Sequence, residues 1–274
     1  MNLLESFVHE RSVFHASMLE ALQRDGDILA AWRWGSFGTL RADELSDLDL
    51  WIVVPNGYLA KITGSLPPHP SLLRVPLISF DVPRNYPVDG RYLLTLYEGV
   101  LGPHQVDWYW QEESAAAAPP QATLVVERQP IPRSNQPPAF QGGSSSEPET
   151  TQERFARQVS FFFAMVPSVA KQVARQPGQQ DWSLAQAIIG SLAELADELG
   201  AAISHFPQAS YWRGLDPMGK LEVLESCVQL MAPIRAEAEQ RKLEVPAAPV
   251  VRQCQKFIQL AKEKLAQQSE IGSA

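Results

Sequence analysis

The hydrophobic positions in the first half of the chain predict one helix and then a series of short strands. Residues 2–24 carry Leu3, Phe7, Phe14, Met18 and Leu22 at the spacing of an amphipathic helix. Short apolar or alternating runs, bounded by turn residues such as Pro55-Asn56-Gly57, are typical of strands. We predict six strands, at residues 28–34, 47–54, 72–80, 92–97, 105–110 and 123–126. Together these elements predict a small mixed sheet.

The second half of the chain has a different pattern. Residues 129–150 are rich in Pro, Gly and Ser and show no periodicity, which is typical of a linker or a mobile loop. Beyond them, apolar residues at three- and four-residue spacing predict helices within residues 155–173, 185–203, 221–231 and 250–265, with a kink at Pro167. We therefore predict an α+β protein: a small mixed-sheet domain over residues 1–128, a linker or mobile loop over 129–150, and a C-terminal helical bundle over 151–274.

Composition and charge narrow the possible partners. The chain of 274 residues has 45% hydrophobic residues, which is ordinary for a globular protein, and it contains no apolar run of membrane-spanning length. No secretory signal is evident, so we expect a cytoplasmic protein without a membrane partner. Cys227 and Cys254 lie in predicted helices and are expected to be buried apolar residues. The whole formal charge of −8 falls within residues 1–150, which argues against a long nucleic acid and favours a cationic or metal-bound small molecule.

The second predicted strand contains two carboxylates, in Asp47-Leu48-Asp49-Leu50. Residues at i and i+2 of a strand point to the same face, so Asp47 and Asp49 are expected side by side. Two like charges this close repel each other unless a cation holds both ionised, and Mg²⁺ is bound by one or two carboxylates together with substrate phosphates. A weaker alternative is that both acids lie on a solvent-exposed surface and bind no cation.

A Gly-Ser pair ends the first predicted strand, about ten residues before the two acids. A turn at Gly35-Ser36 would leave backbone N–H groups and a hydroxyl to bind a phosphate. A phosphate-binding turn followed by two metal-binding acids favours phosphoryl or nucleotidyl transfer.

The two motifs together, Trp34-Gly35-Ser36 and Asp47-Leu48-Asp49-Leu50, resemble those of the nucleotidyltransferase superfamily, which has the DNA polymerase β-like fold. The motif resemblance covers about residues 27–110. The layout, a small α/β domain followed by helices, is similar to that of the bacterial aminoglycoside and lincosamide nucleotidyltransferases. The resemblance implies that Gly35 and Ser36 hold a nucleotide triphosphate and that Asp47 and Asp49 bind two Mg²⁺ ions. It also implies a third acid from a later strand, for which Asp107 is the better match and Asp81 the competitor.

The activity implied by this resemblance is the Mg²⁺-dependent transfer of a nucleoside monophosphate to a hydroxyl of a small molecule, with release of pyrophosphate. AMP from ATP is the expected donor, although another nucleoside triphosphate stays open, and an aminoglycoside or lincosamide antibiotic is the candidate acceptor, which would make the protein a resistance factor. Asp107 would bind the second metal and accept the proton of the attacking hydroxyl. Members that modify antibiotics often use a separate glutamate base, for which Glu112, Glu113 and Glu153 are candidates by position only.

Two other functions stay open on the sequence alone. One is a regulatory protein that uses the same fold on a partner protein, as in a toxin–antitoxin pair. The other is a non-catalytic nucleotide-binding module, against which the intact Asp47, Asp49 and Asp107 argue. The sequence leaves the oligomeric state open.

Overall fold

The structure is a computed structural model that describes residues 2–61, 74–140, 150–177, 183–199 and 212–272. It divides into two compact units. The sheet unit comprises Val8–Tyr97 and His104–Pro148, and the helical unit comprises Met1–Phe7, Glu98–Pro103 and Glu149–Ala274. Three predicted stretches lie outside the described residues: 72–73 of the third strand, 141–149 of the linker and 200–203 of the second C-terminal helix.

The sheet unit contains a six-stranded mixed sheet, as predicted. Its strands run in the order β3-β4-β5-β2-β1-β6, and β2 and β5 are parallel while the other neighbours are antiparallel. Strand β3 is shorter than predicted and begins after Pro76, which has no N–H to donate to a neighbouring strand. The strands are β1 (Ala30–Trp34), β2 (Leu48–Val54), β3 (Ile78–Asp81), β4 (Gly90–Tyr97), β5 (His104–Glu112) and β6 (Thr123–Glu127).

One face of the sheet packs on helix α1 (Leu3–Arg24), from Val8 onward. The helix contributes Phe14, Met18 and Leu22 to this core, at the spacing that places them on one side of a helix. The sheet contributes alternate residues of β2 and β5, since every second side chain of a strand points to the same face: Leu48, Leu50, Ile52, Val54, Val106, Trp108 and Trp110. This apolar core holds the two strands that carry the predicted acids.

The other face of the sheet is aromatic. The ring of Tyr109 stacks on Trp51 at 5.4 Å and contacts Tyr92 at 4.8 Å and Trp34 at 5.2 Å between ring centroids. The exposed Phe140 adds a ring at 6.2 Å from Tyr109. The side chains of the odd-numbered residues of β5, which include Asp107, therefore share a face with these rings.

Part of the predicted linker pairs with the sheet unit through its backbone. Ala118 N–H donates to the carbonyl of Pro132 at 2.8 Å, and Ser134 N–H donates to that of Ala118 at 3.0 Å. Val88 N–H donates to the carbonyl of Ala139 at 3.3 Å, and Ile131 is buried. Residues 131–139 thus contact the sheet unit, residues 141–149 lie outside the described residues, and the linker or mobile loop over 129–150 stays a prediction.

Two short helices, α2 (Gly35–Gly38) and α3 (Tyr58–Lys61), follow β1 and β2, and four longer ones make up most of the helical unit. A capping box at Thr150 and Glu153 begins the first of the four, which continues through the buried Pro167 and contacts the other three. Cys227 and Cys254 are buried thiols, as predicted, and burial raises the pKa of both. The four helices are α4 (Thr151–Arg175), α5 (Ser183–Glu198), α6 (Pro217–Gln240) and α7 (Pro249–Gly272).

The helical unit also includes the segment between β4 and β5. The buried Gln253 of α7 donates to the carbonyl of Gly99 at 2.8 Å, and the ring of Phe7 meets that of Phe257 edge-on at 6.1 Å. Within the described ranges, no helix has both the length and the apolar character needed to cross a membrane.

Candidate active site

The pairing of β2 with β5 places two of the predicted acids side by side. In the parallel register, Asp49 is the direct partner of Asp107, between the pairs Leu48–Val106 and Leu50–Trp108. Direct partners on neighbouring strands point to the same face, so both carboxylates lie on the aromatic face of the sheet. Asp107 is only 8% exposed, whereas Asp49 is half-buried.

Gly35 lies directly against the carboxylate of Asp49. Trp34, the last residue of β1, is the antiparallel partner of Asp49, and the chain turns at Gly35 with a φ of +60°. A Cβ at Gly35 would stand 2.1 Å from Oδ2 of Asp49 and 2.7 Å from its Cγ, closer than any side chain can come. Only glycine fits this position, both for its positive φ and for its closeness to the acid.

The hydroxyl of Ser36 is buried in the same turn. Its Oγ has no hydrogen-bond partner among the described residues, while the Ser36 carbonyl accepts from Arg41 N–H at 2.9 Å. Buried polar atoms are nearly always paired, so an unpaired hydroxyl at the predicted phosphate-binding position is a candidate ligand contact. Arg41 itself is exposed, as expected for a residue of this loop.

Asp47 precedes β2 and is half-buried. Its charge, like those of Asp49 and Asp107, affects the pKa values of two neighbouring tyrosines. Burial, and then the charges of Asp107, Asp49 and Asp47, raise the pKa of Tyr109 well above its ordinary value. The same three acids contribute to the raised pKa of Tyr92, after burial. All three carboxylates thus act on the same pair of phenols, which stay neutral at physiological pH.

Arg11 of α1 holds the loop that leads to Asp47, a role that was not predicted. Its Nη1 donates to the carbonyl oxygens of Asp43 at 2.9 Å, Glu44 at 2.7 Å and Ser46 at 3.0 Å. The signal in the sequence is a single arginine on the apolar side of α1, four residues after Phe7 and three before Phe14.

His15, one turn further along α1, is also close to Asp47. Burial, followed by the nearby charge of Arg11, lowers the pKa of His15 to about 3, and Asp47 opposes this shift. The imidazole is therefore neutral at neutral pH, and it packs edge-on against Phe37 at 5.0 Å.

The other candidate acids occupy different places. Asp81 lies in β3, at the edge of the sheet, where Tyr86 Oη donates to its carboxylate at 2.7 Å. Glu112 accepts from Leu59 N–H at 3.0 Å, and Glu113 accepts from Gln129. The carboxylate of Glu153 accepts from Thr150 in the cap of α4, which lowers its pKa. The structure thus brings Asp107, and not Asp81, next to Asp49.

These residues suit a divalent cation only in part. In the part of the chain that the structure describes, no three His, Cys, Asp or Glu side chains are grouped so as to hold a metal ion. The adjacent pair Asp49 and Asp107 supplies two carboxylates, which is what Mg²⁺ usually takes from a protein when substrate phosphates and water complete its shell. The Ser36 hydroxyl, which has no partner within the described ranges, and the close approach of Gly35 add a candidate place for an anion beside that pair.

A separate cavity of about 530 Å³ lies against α1, with Glu10, Phe14, Arg74 and His104 in its wall. None of the five predicted site residues lines it. Within it, His104 stacks on Phe14 at 4.7 Å, and burial lowers the pKa of His104 to about 4, partly offset by Glu10.

Comparison with known proteins leaves the family of this chain open. No protein-family model and no curated protein match the sequence. Among solved structures, the chain is similar to that of a STING-associated CdnE c-di-GMP synthase from Capnocytophaga granulosa, with 10% sequence identity over 97% of this chain and 83% of that chain, at a TM-score of 0.26. A similarity at this TM-score supports no conclusion about fold or function.

Proposed function

We propose that this protein is a Mg²⁺-dependent nucleotidyltransferase that moves a nucleoside monophosphate, AMP from ATP, to a hydroxyl group of a small acceptor and releases pyrophosphate. The observation that carries the proposal is the register of β2 and β5, which makes Asp107 the direct partner of Asp49. The approach of Gly35 to the Asp49 carboxylate supports it, since the two sequence motifs meet at this point.

In this proposal Gly35 and Ser36 hold the triphosphate, and Asp47, Asp49 and Asp107 hold Mg²⁺. Bound between these carboxylates and the phosphates, two Mg²⁺ ions would neutralise the charge that develops on the attacking and leaving oxygens. Ser36 Oγ, which lacks a partner in the described chain, would donate to a phosphate oxygen. The neutral His15 would leave the negative charge of Asp47 available to the cation.

The transfer needs one proton acceptor. The acceptor's hydroxyl oxygen forms a bond to the α-phosphorus, the bond from that phosphorus to the bridging oxygen breaks, and pyrophosphate leaves. The hydroxyl proton passes to the carboxylate of Asp107, which Gln105 already holds through one oxygen at 2.9 Å. Asp107 is favoured over the three glutamates as the base, because the strand register places it beside Asp49. The glutamates accept hydrogen bonds elsewhere: Glu112 from Leu59 N–H, Glu113 from Gln129 and Glu153 from Thr150.

The acceptor is proposed to be cationic or polyhydroxylated, as aminoglycosides and lincosamides are. The formal excess of −8 falls within residues 1–150, and a negative field raises the local concentration of cations. Binding of an aminoglycoside to the protein with Mg²⁺ and nucleotide is expected to weaken as salt rises, because screening shortens the reach of exposed charges.

Calorimetry tests the proposal without knowledge of the acceptor. A non-hydrolysable ATP analogue is titrated into the protein with Mg²⁺ and then with EDTA, and binding is expected only with Mg²⁺. Asp49→Asn should abolish this Mg²⁺-dependent binding, whereas the matched variant Asp81→Asn should retain it, because Asp81 lies at the sheet edge. Absence of Mg²⁺-dependent binding for the analogues of all four nucleotides would contradict the proposal.

Turnover is measured with labelled nucleotides and a panel of aminoglycosides and lincosamides, with pyrophosphate release as the readout. An Asp49→Asn protein that keeps full release would refute the role of the carboxylate pair. Release with a neutral or anionic acceptor only would refute the charge argument and leave the metal site standing.

A further inference from the structure

Two buried glutamines on the same strand and the same face differ in one respect. Gln111 is 6% exposed, and each of its two polar atoms has a partner: its Oε1 accepts from Trp51 Nε1 at 3.1 Å, and its Nε2 donates to the Val88 carbonyl at 3.1 Å. Gln105 is 8% exposed, and its Nε2 donates to Asp107 Oδ1 at 2.9 Å. Its Oε1 is buried and has no hydrogen-bond partner among the described residues.

The hydrogen bond to the Asp107 carboxylate determines the orientation of the Gln105 amide. A carboxylate oxygen accepts hydrogen bonds, so the NH₂ group must face Asp107 and the amide oxygen must point away from it. An unpaired carbonyl oxygen more than nine-tenths buried is costly, and such groups call for an explanation, of which an absent ligand is one.

Gln105 stands beside the carboxylates in the sheet. It lies two residues before Asp107 on β5, and thus on the same face. Because Leu48 pairs with Val106, Gln105 of β5 and Asp47, which directly precedes β2, each lie one residue before that pair. Gln105 therefore belongs to the corner of the sheet that holds Asp47, Asp49 and Asp107.

We propose that Gln105 is a positioning residue of the cation site at Asp49 and Asp107, and that its amide oxygen accepts a hydrogen bond from water carried by a hydrated divalent cation. This inference rests on the proposed function, because it takes the carboxylate pair to be a Mg²⁺ site. The amide nitrogen holds one oxygen of Asp107 and so sets the orientation of the carboxylate. Mg²⁺ keeps several of its waters in proteins, and these are donors that a carbonyl oxygen can accept.

Direct cation binding tests this role apart from catalysis. Mn²⁺, a paramagnetic substitute for Mg²⁺, is titrated into the full chain, first alone and then with a non-hydrolysable ATP analogue, and the free ion is followed by electron paramagnetic resonance. Gln105→Met removes both polar atoms at nearly constant volume, and we expect its affinity for Mn²⁺ to fall tenfold or more, as for other groups that orient metal ligands. Gln111→Met is the matched control and should bind Mn²⁺ within twofold of the wild type.

The second variant, Gln105→Glu, keeps an oxygen acceptor at this position and adds a charge that favours cations. This variant loses the N–H donor to Asp107, as Gln105→Met does, but it keeps the acceptor oxygen, so we expect it to bind Mn²⁺ at least threefold more tightly than Gln105→Met. If Gln105→Glu, folded by circular dichroism, binds Mn²⁺ no better than Gln105→Met, the acceptor role is overturned. If Gln105→Met binds Mn²⁺ as well as the wild type while Asp49→Asn does not, the role of Gln105 is refuted and the proposed function stands. If the wild type binds no Mn²⁺ with or without the analogue, both fail.

Discussion

Substitution of Gly35 by alanine tests the contact on which the site depends. A methyl group there would meet Oδ2 of Asp49 at 2.1 Å, and the backbone has a φ of +60°. Two contributions therefore destabilise the variant: the left-handed backbone conformation and the clash with the carboxylate of Asp49. Gly57 offers a matched control, because its φ is +75° and no atom of the described residues lies within 4 Å of an added Cβ.

The two contributions can be separated in magnitude. A left-handed conformation costs a non-glycine residue about 1–2 kcal/mol, and this should be the whole effect of Gly57→Ala. At Gly35 the side chain of Asp49 must also leave its rotamer or the strands must shift, which adds about 1–2 kcal/mol. We therefore expect Gly35→Ala to lower the free energy of unfolding by about 2–4 kcal/mol.

Urea denaturation of five proteins, the four of a double-mutant cycle on Gly35 and Asp49 together with Gly57→Ala, measures the clash by itself. In an Asp49→Ala background the carboxylate is absent, so the added cost of Gly35→Ala should fall to that of Gly57→Ala. The cycle isolates the contact between the two positions, since Gly35 and Asp49 are close enough to couple. An equal cost of Gly35→Ala with and without the Asp49 carboxylate would refute the packing of the glycine on the acid.

Two further predictions concern the residues of α1 behind Asp47. Burial lowers the pKa of His15 to about 3, below the value of 6.5 for an unperturbed histidine, which we take for the unfolded chain. The unfolded chain therefore binds a proton more readily than the folded protein, and the free energy of unfolding falls as pH drops below 6.5, by about 2 kcal/mol at pH 5. Urea titrations at pH 7.5 and 5 should show this loss in the wild type and a smaller one in His15→Phe; equal losses would contradict it. Arg11→Met removes the donor to three loop carbonyls and should cost about 3 kcal/mol, with faster amide exchange at residues 43–47. Arg24→Met, which breaks only the exposed pair with Glu20, is the control and should cost less than about 0.5 kcal/mol; similar costs for the two variants would refute the role of Arg11.

Local patterns were sufficient for the elements that carry the site. Alternation in Asp47-Leu48-Asp49-Leu50 predicted that the leucines are buried and that Asp49 faces away from them, because side-chain direction in a strand depends only on its period of two. The turn at Gly35-Ser36 was predictable from another local property, because glycine permits the positive φ that the structure has there.

Only the tertiary structure decided which third acid joins Asp49. Asp81 and Asp107 both end or interrupt a plausible strand, and no local property tells which strand becomes the neighbour of β2. That choice follows from strand order and from a parallel register between residues nearly sixty positions apart, both set by packing of the apolar face on α1.

The roles of Arg11 and Gln105 could not be predicted from the sequence for a similar reason. Arg11 reaches carbonyls more than thirty residues away, and backbone carbonyls have no signature in a sequence. Gln105 and Gln111 are the same residue type on the same strand. Only their partners among the described residues show that the amide oxygen of Gln111 accepts a hydrogen bond and that of Gln105 does not. The sequence by itself determined which segments are strands and helices and which face each side chain takes, since these depend on local periodicity; long-range pairing decided which side chains meet.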